Sequence, residues 1–279
     1  MTDSTITDAQ LSEVVQSLPA SARLLSELAP KLQQVEVPVD EVTELLRRDA
    51  GLTARLIAIA NSAVYARAEP ASSIEEAVTC LGYRDVYRLI GALAAKQLSD
   101  QPVNAYEIES SRFRQNALFV ALVVEELAGL TEIDPRQAYT VGLLRSIGKV
   151  ALDRVAAIRS RVIEPLADDQ PLLDWERQVW GTTSADVGAR ILNVWRFREP
   201  ATDAVRDHYF PRSDSVALAH LLNLAAGAAD LRGFGFRGEE SYWQFSPENF
   251  ARTGVDEGKL VWAGERAFRT LERMTTALA

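Results

Sequence analysis

Histidine and cysteine are scarce in this chain, with two His and one Cys among 279 residues. Histidine is the commonest metal ligand and general base, so His208 and His220 alone cannot build a multi-histidine metal centre. A lone cysteine, Cys80, excludes an internal disulfide and fits a reducing cytoplasm. Its apolar setting between Thr79 and Leu81 predicts a small core residue rather than a redox sensor. No segment approaches the roughly 18–20 apolar residues of a membrane span, and the best run, Ala117–Val124, is far shorter. The first residues, Met-Thr-Asp-Ser-Thr-Ile-Thr-Asp, lack a basic region followed by an apolar one, so no secretory signal is expected. Positive charge is also in deficit. A net charge of −9 argues against a general nucleic-acid surface. Arg154, Arg159 and Arg161 form a local basic group, but Arg154 and Arg161 are seven apart, as on an ordinary solvated helix face. His-Glu-x-x-His, Cys-x-x-Cys, G-x-S-x-G and P-loop patterns are all missing.

What is present is a long succession of Leu- and Ala-rich segments at helical spacing, which predicts an all-α protein. Thr7 and Gln10 have the spacing of a capping box that opens a helix to about Leu18. Further helices are expected over 21–29, with Pro30 starting a new turn, and over 40–48 with Asp40 as cap. Leu52, Leu56, Ile59, Ala60 and Ala63 form the next stripe, and Ser73 with Glu76 makes a second capping box. A helix from about Asp85 to Leu98 ends at Ser99–Ala105, whose Pro102 and Asn104 make it the best boundary or hinge. The chain therefore divides into 1–105, a helical core over 106–232, and a glycine-rich loop with C-terminal helices over 233–279. Phe113–Ala128 has no polar face across its centre and is expected to be the most buried helix, with Asn116 as its one conspicuous uncharged polar residue. Gly233–Gly238 reads as a mobile loop, with Trp243 the tryptophan most suited to exposure.

The organising stretch is Val141-Gly-Leu-Leu-Arg-Ser-Ile-Gly-Lys-Val-Ala-Leu152, read as one helix. Val141, Leu144, Ile147, Gly148, Ala151 and Leu152 share a face, with Arg145 at its edge and Ser146 nearly opposite. The frame G-L-L-x-x-I-G-K-x-x-L resembles the central helix of the HD superfamily of metal-dependent phosphohydrolases, where the variable pair reads His-Asp; here it reads Arg145-Ser146. Asp49-x-x-Leu-Thr-x-x-Leu56, Asn61-Ser-Ala-x-Tyr65, Ser72-Ser-Ile-Glu-Glu-Ala77 and Leu81-Gly82 follow in order. Across roughly residues 10–232 the chain is similar to the HDOD family of bacterial, cytoplasmic, all-helical signalling domains related to those hydrolases. Ala50 departs from the family's usual proline, which loosens only a turn.

The resemblance implies a multi-helix fold in which an N-terminal helical subdomain packs on an HD-like core. It also places the former metal ligands at Asn116, Arg145, Ser146, Ser184, Asp207 and His208. Asn and Ser are poor ligands for zinc or iron, and Arg145 would put a cation where the metal belongs. No metal or other cofactor and no catalysis are therefore expected. In the vestigial cavity, Arg145, Asn116 and Ser146 either satisfy buried backbone groups or an acid such as Asp207, or Arg145 with His208 binds a phosphate or carboxylate. Asn61 and Ser62 either bond nearby backbone or, like Trp243, meet a partner; His220 reads as a satisfied core histidine. The implied function is regulation through protein–protein contact in the cytoplasm. Partners would be supplied in trans: a histidine kinase, a response regulator or a cyclic-di-GMP enzyme. Residual nucleotide binding or phosphodiesterase activity is the alternative.

Overall fold

The computed structural model describes residues 6–32, 38–65, 70–160 and 162–278. Among them are fifteen α-helices, two short 3-10 turns and no strand, so the all-α expectation holds. Among the described residues no helix is long and apolar enough to cross a membrane.

The first six helices are α1 (Asp8–Ser17), α2 (Ala20–Leu32), α3 (Val39–Leu46), α4 (Ala50–Ala60), α5 (Ile74–Leu81) and α6 (Tyr83–Leu98). Local capping chemistry starts several of them. Thr7 and Gln10 form the reciprocal box at α1, Asp49 accepts from the Leu52 amide at α4, and Ser73 accepts from the Glu76 amide at α5. Two boundaries differ from expectation. The α2 helix runs through Pro30 without a break, and α3 begins at Val39, with Pro38 rather than Asp40 in the cap position. The connector expected over 35–39 falls mostly outside the described residues.

The core begins with α7 (Ser110–Ala128), followed by α8 (Pro135–Leu144), α9 (Ile147–Ile158), α10 (Leu172–Trp180) and α11 (Ser184–Val194). After these come α12 (Glu199–Asp207), α13 (Ala217–Leu231), α14 (Pro247–Thr253) and α15 (Glu257–Leu278). As expected, α7 is buried on all sides over its centre, and it packs against α6, α8, α13 and α15. Its polar content was underestimated. Glu125 and Glu126 are also buried, and Arg88 from α6 reaches them at 2.8 Å each, while Arg84 and Arg266 add pairs at the margin. These ions bind α6, α7 and α15 together beneath the apolar cluster that they share.

The Ser99–Ala105 segment is anchored rather than slack. Ser99 is buried and bonds the Ala95 carbonyl, Val103 pairs with Ile108, and the Ala105 amide donates to Asp153 of α9 at 2.7 Å. One hydrophobic cluster includes residues from all three segments of the chain, from Ile6 to Met274.

The stretch read as one helix over Val141–Leu152 is two. Arg145 and Ser146 interrupt it, with Ser146 at φ −99°, ψ 13° between α8 and α9. The interruption lets α9 approach α11 so closely that a Cβ on Gly148 would overlap the Ser184 carbonyl. That contact is the physical reason for glycine in the frame.

Candidate functional site

Arg145, placed by wheel arithmetic at the edge of an apolar face, lies inside the protein because the chain bends there. Lys149, one turn further on, is buried too. Two interior cations demand acceptors, since an unpaired buried charge costs several kcal/mol. One comes from α10, where Glu176 is completely buried. The other comes from the glycine-rich segment, which is not the mobile loop expected. Gly233 and Gly238, at φ +77° and +81°, turn the chain so that Phe236 enters the core and Glu239 becomes wholly inaccessible.

The result is a continuous chain of contacts. Arg145 Nη1 meets Glu239 Oε2 at 3.0 Å, and Nη2 donates to Asn116 Oδ1 at 2.8 Å. Asn116 Nδ2 donates in turn to the Phe234 carbonyl. Lys149 Nζ lies 3.3 Å from Glu239 and 3.7 Å from Glu176. The Tyr209 hydroxyl donates to Glu239, and the Tyr106 hydroxyl and the Ser184 amide donate to Glu176. Aromatic rings form the walls: Phe236 and Trp243 face the Arg145 guanidinium, and Tyr106 and Tyr209 face the Lys149 ammonium. Two cations and two carboxylates balance.

The titration of these groups follows. Burial would raise the Glu239 carboxyl, but Arg145, Lys149 and the Tyr209 hydroxyl outweigh it and hold its pKa below the ordinary value. Burial first, then Arg145, depress His208 from 6.5 to about 3. Its Nδ1 lies 2.7 Å from the Val205 carbonyl, which can only accept, so the proton sits on Nδ1. Nε2 then faces Arg145 Nη1 at 3.4 Å with its lone pair. Burial, then nearby carboxylates, push Tyr106 and Tyr209 well above the usual phenol range.

Of the residues singled out from sequence, Asn116, Arg145 and His208 do meet, and Ser184 joins through its amide. Ser146 is buried, but its hydroxyl has no hydrogen-bond partner and stands outside the circuit. Asp207 does not enter the cavity. At the end of α12 it turns outward, accepting from Arg206 and Ser215, so it is not the acid that answers Arg145. Glu239 is. That carboxylate pairs with the Arg145 guanidinium at 3.0 Å. Trp243 is half-buried in the cavity wall rather than exposed; Trp262 is the exposed tryptophan. Asn61 brackets Ala71, accepting its amide at 2.7 Å and donating to its carbonyl at 2.9 Å, while the Ser62 hydroxyl is buried without a partner. His220 is satisfied by Asn249 and the Arg212 carbonyl. Arg154 and Arg159 bond Ser17 and Gln10 of the α1 region, and Arg161 lies outside the described residues.

Sequence reasoning missed Lys149, Glu176, Glu239, Tyr106 and Tyr209. Lys149 was visible in the Gly-Lys of the frame, four residues after Arg145 and so on the same side of an ideal helix. Glu239 carried no such signal.

Among the described residues no three His, Cys, Asp or Glu side chains stand together as a metal-ligand set. The donor chemistry explains why a divalent ion does not fit: both cavity carboxylates are already engaged, by an arginine and a lysine. The sequence profile of the HDOD domain matches residues 18–211, well over half of the chain. The chain belongs to the HDOD family. Its fold is shared with an HDOD domain protein of unknown function from Geobacter sulfurreducens, at a TM-score of 0.67 and 23% identity over 97% of both chains. A candidate phosphohydrolase from Shewanella amazonensis SB2B aligns at 0.61 and 23%, again over 97% of both. A candidate signal transduction protein from Marinobacter aquaeolei VT8 aligns at 0.65 and 20%, over 97% of this chain and 64% of that one. This HDOD protein is also 23% identical over 241 residues to an uncharacterized protein of Treponema pallidum (strain Nichols), spanning 79% of itself but 45% of that relative.

Proposed function

We propose that this HDOD protein is a non-catalytic, cytoplasmic signalling module that works by protein–protein contact, its vestigial HD cavity serving as a structural ion cluster. The observation that carries the reading is the circuit Arg145–Glu239–Lys149–Glu176. It gathers two fixed cations, already neutralised, around positions that the family resemblance assigns to metal ligands, which supports a structural rather than a catalytic cavity. The likeness to a candidate signal transduction protein supports the signalling half of the reading. Partners are a histidine kinase, a response regulator or a cyclic-di-GMP enzyme on another chain.

Elemental analysis of the purified protein, with hydrolysis of bis(4-nitrophenyl) phosphate and cyclic-di-GMP in added Mn²⁺, tests the first half. No stoichiometric metal and no turnover above buffer are expected; metal-dependent turnover would overturn it. Affinity capture from lysate of the encoding cells tests the second, and failure to retain any specific partner sinks it.

Nucleotide binding is the second reading, favoured by a cleft of about 400 Å³ beside the cavity, lined by Tyr106, Arg112, Phe236 and Arg237. The Phe236 ring separates this cleft from Arg145. A nucleotide-dependent thermal shift that is lost in Arg112→Glu would establish it.

A further inference from the structure

Of the nine exposed large apolar side chains among the described residues, three share one cleft. Leu231 at the end of α13 is 79% exposed, Val261 on α15 is 61% exposed, and Phe245 before α14 is 40% exposed. All three line a single cleft of about 420 Å³ between α13 and α15, floored by Phe119 and walled by Phe250 and Leu260. Trp262 lies beside Val261 and is exposed as well. Scattered surface Leu or Val residues are ordinary; a cleft collecting several is the mark of a recognition surface.

Gly264 adds an independent observation. It sits in the interior of the 22-residue helix α15, where glycine costs about 0.5–1 kcal/mol against alanine. A Cβ there would meet nothing within 4 Å, so no packing contact requires its absence. What the missing side chain does is keep a wall of the cleft open.

We propose that this cleft is the docking seat for a basic amphipathic helix of a partner protein, a proposal that rests on the interaction reading above. The cleft is larger than one side chain, and a helix presents two or three apolar side chains to one groove at i, i+3 or i+4 and i+7. A small ligand held in the cleft would leave the outer surfaces of Leu231 and Val261 bare; a helix laid across them covers both. Charge sets the sign. The rim carries Glu257, Glu265 and Arg232, and Arg232 is neutralised by Glu265 at 2.7 Å. Glu257 makes no salt bridge among the described residues, which leaves the rim acidic, on a chain of net charge −9. A second copy would bring the same acidic rim and the same net charge, so a basic partner is the complementary occupant.

The probe is a fluorescein-labelled peptide of two Leu-Lys-Lys-Leu-Leu-Lys-Leu repeats, titrated by anisotropy, beside its analogue with Glu for every Lys. The Lys peptide is expected to bind, and the Glu peptide at least about tenfold more weakly. Gly264→Leu, which fills the cleft, and Val261→Asp, which alters an exposed residue, should each weaken the Lys peptide at least about tenfold with circular dichroism unchanged. Glu257→Lys should weaken it as well. Equal binding of the two peptides, or undiminished binding by Gly264→Leu and Val261→Asp, overturns the proposal. So does concentration-dependent dimerisation abolished by Val261→Asp, which would give the cleft to a second copy. Capture of the same specific partner by wild type and Val261→Asp alike overturns the docking seat and leaves the interaction reading standing.

Discussion

At the scale of single residues, the cavity behaves as a matched set of charges rather than as a collection of lost ligands. Replacing Glu239 by Gln leaves Lys149 with Glu176 and Arg145 with no carboxylate, and removal of one partner from a buried pair costs about 3–5 kcal/mol. Urea unfolding should register that loss, and Arg145→Met combined with Glu239→Leu should recover most of it. An undiminished midpoint in Glu239→Gln would show that the circuit contributes nothing. His208 supplies a pH signature. Folding holds it neutral down to about 3 against an ordinary 6.5, so below 6.5 the unfolded chain takes up a proton that the native state refuses. Stability contributed by His208 is complete above 6.5 and falls by up to about 1.4 kcal/mol per pH unit between 6.5 and 3. Glu239, with its pKa depressed, adds a loss that sets in as pH falls below its ordinary 4.5, where the unfolded carboxyl takes up a proton that the folded one refuses. Urea midpoints from pH 7 to pH 4 should show a shallower slope in His208→Gln than in wild type.

At the scale of elements, two glycines with opposite surroundings make opposite predictions. Gly148→Ala forces a methyl into the Ser184 carbonyl, backbone against backbone, and should destabilise by at least about 2 kcal/mol, separating α9 from α11. Gly264→Ala meets open space and should stabilise α15 by about 0.5–1 kcal/mol in thermal unfolding. The same elements show where sequence reasoning reaches its limit. The capping box at Thr7, the Ser73 cap (whose Glu76 carboxylate reaches back to Ser72 rather than to Ser73) and the burial of α7 were legible, because each depends on residues within a few positions of one another. The break at Arg145–Ser146 was not. Periodicity continues straight through it, and only the approach of α11, some forty residues away in sequence, makes the bend visible. The family resemblance sets Asp207 and His208 together as former ligands, yet one residue of helix turns the Asp207 side chain to Arg206 and Ser215.

At the scale of the whole molecule, the buried Arg88–Glu125–Glu126 cluster and the shared apolar core join the N-terminal helices to the rest. All five tryptophans lie beyond residue 174, whereas helices occur throughout. Fluorescence therefore reports the C-terminal two-fifths and far-ultraviolet circular dichroism the entire fold. Coincident urea transitions by both probes are expected, and separated ones would show that the halves unfold independently. The cavity's own balance was illegible for a related reason: Arg145 and Glu239 are 94 positions apart, and no periodicity in either segment links them. That separation also orders events during synthesis. The segment matching the HDOD profile, 18–211, leaves the ribosome before Glu239 does, and at about 5–20 residues per second the delay lasts seconds. Through that interval Lys149 has Glu176 but Arg145 has no acid, so their burial stays incomplete until the glycine-rich segment arrives. The last sixth of the chain thus acts as a completion signal, and a nascent chain stopped at Leu231 should remain protease-sensitive around α8 and α9.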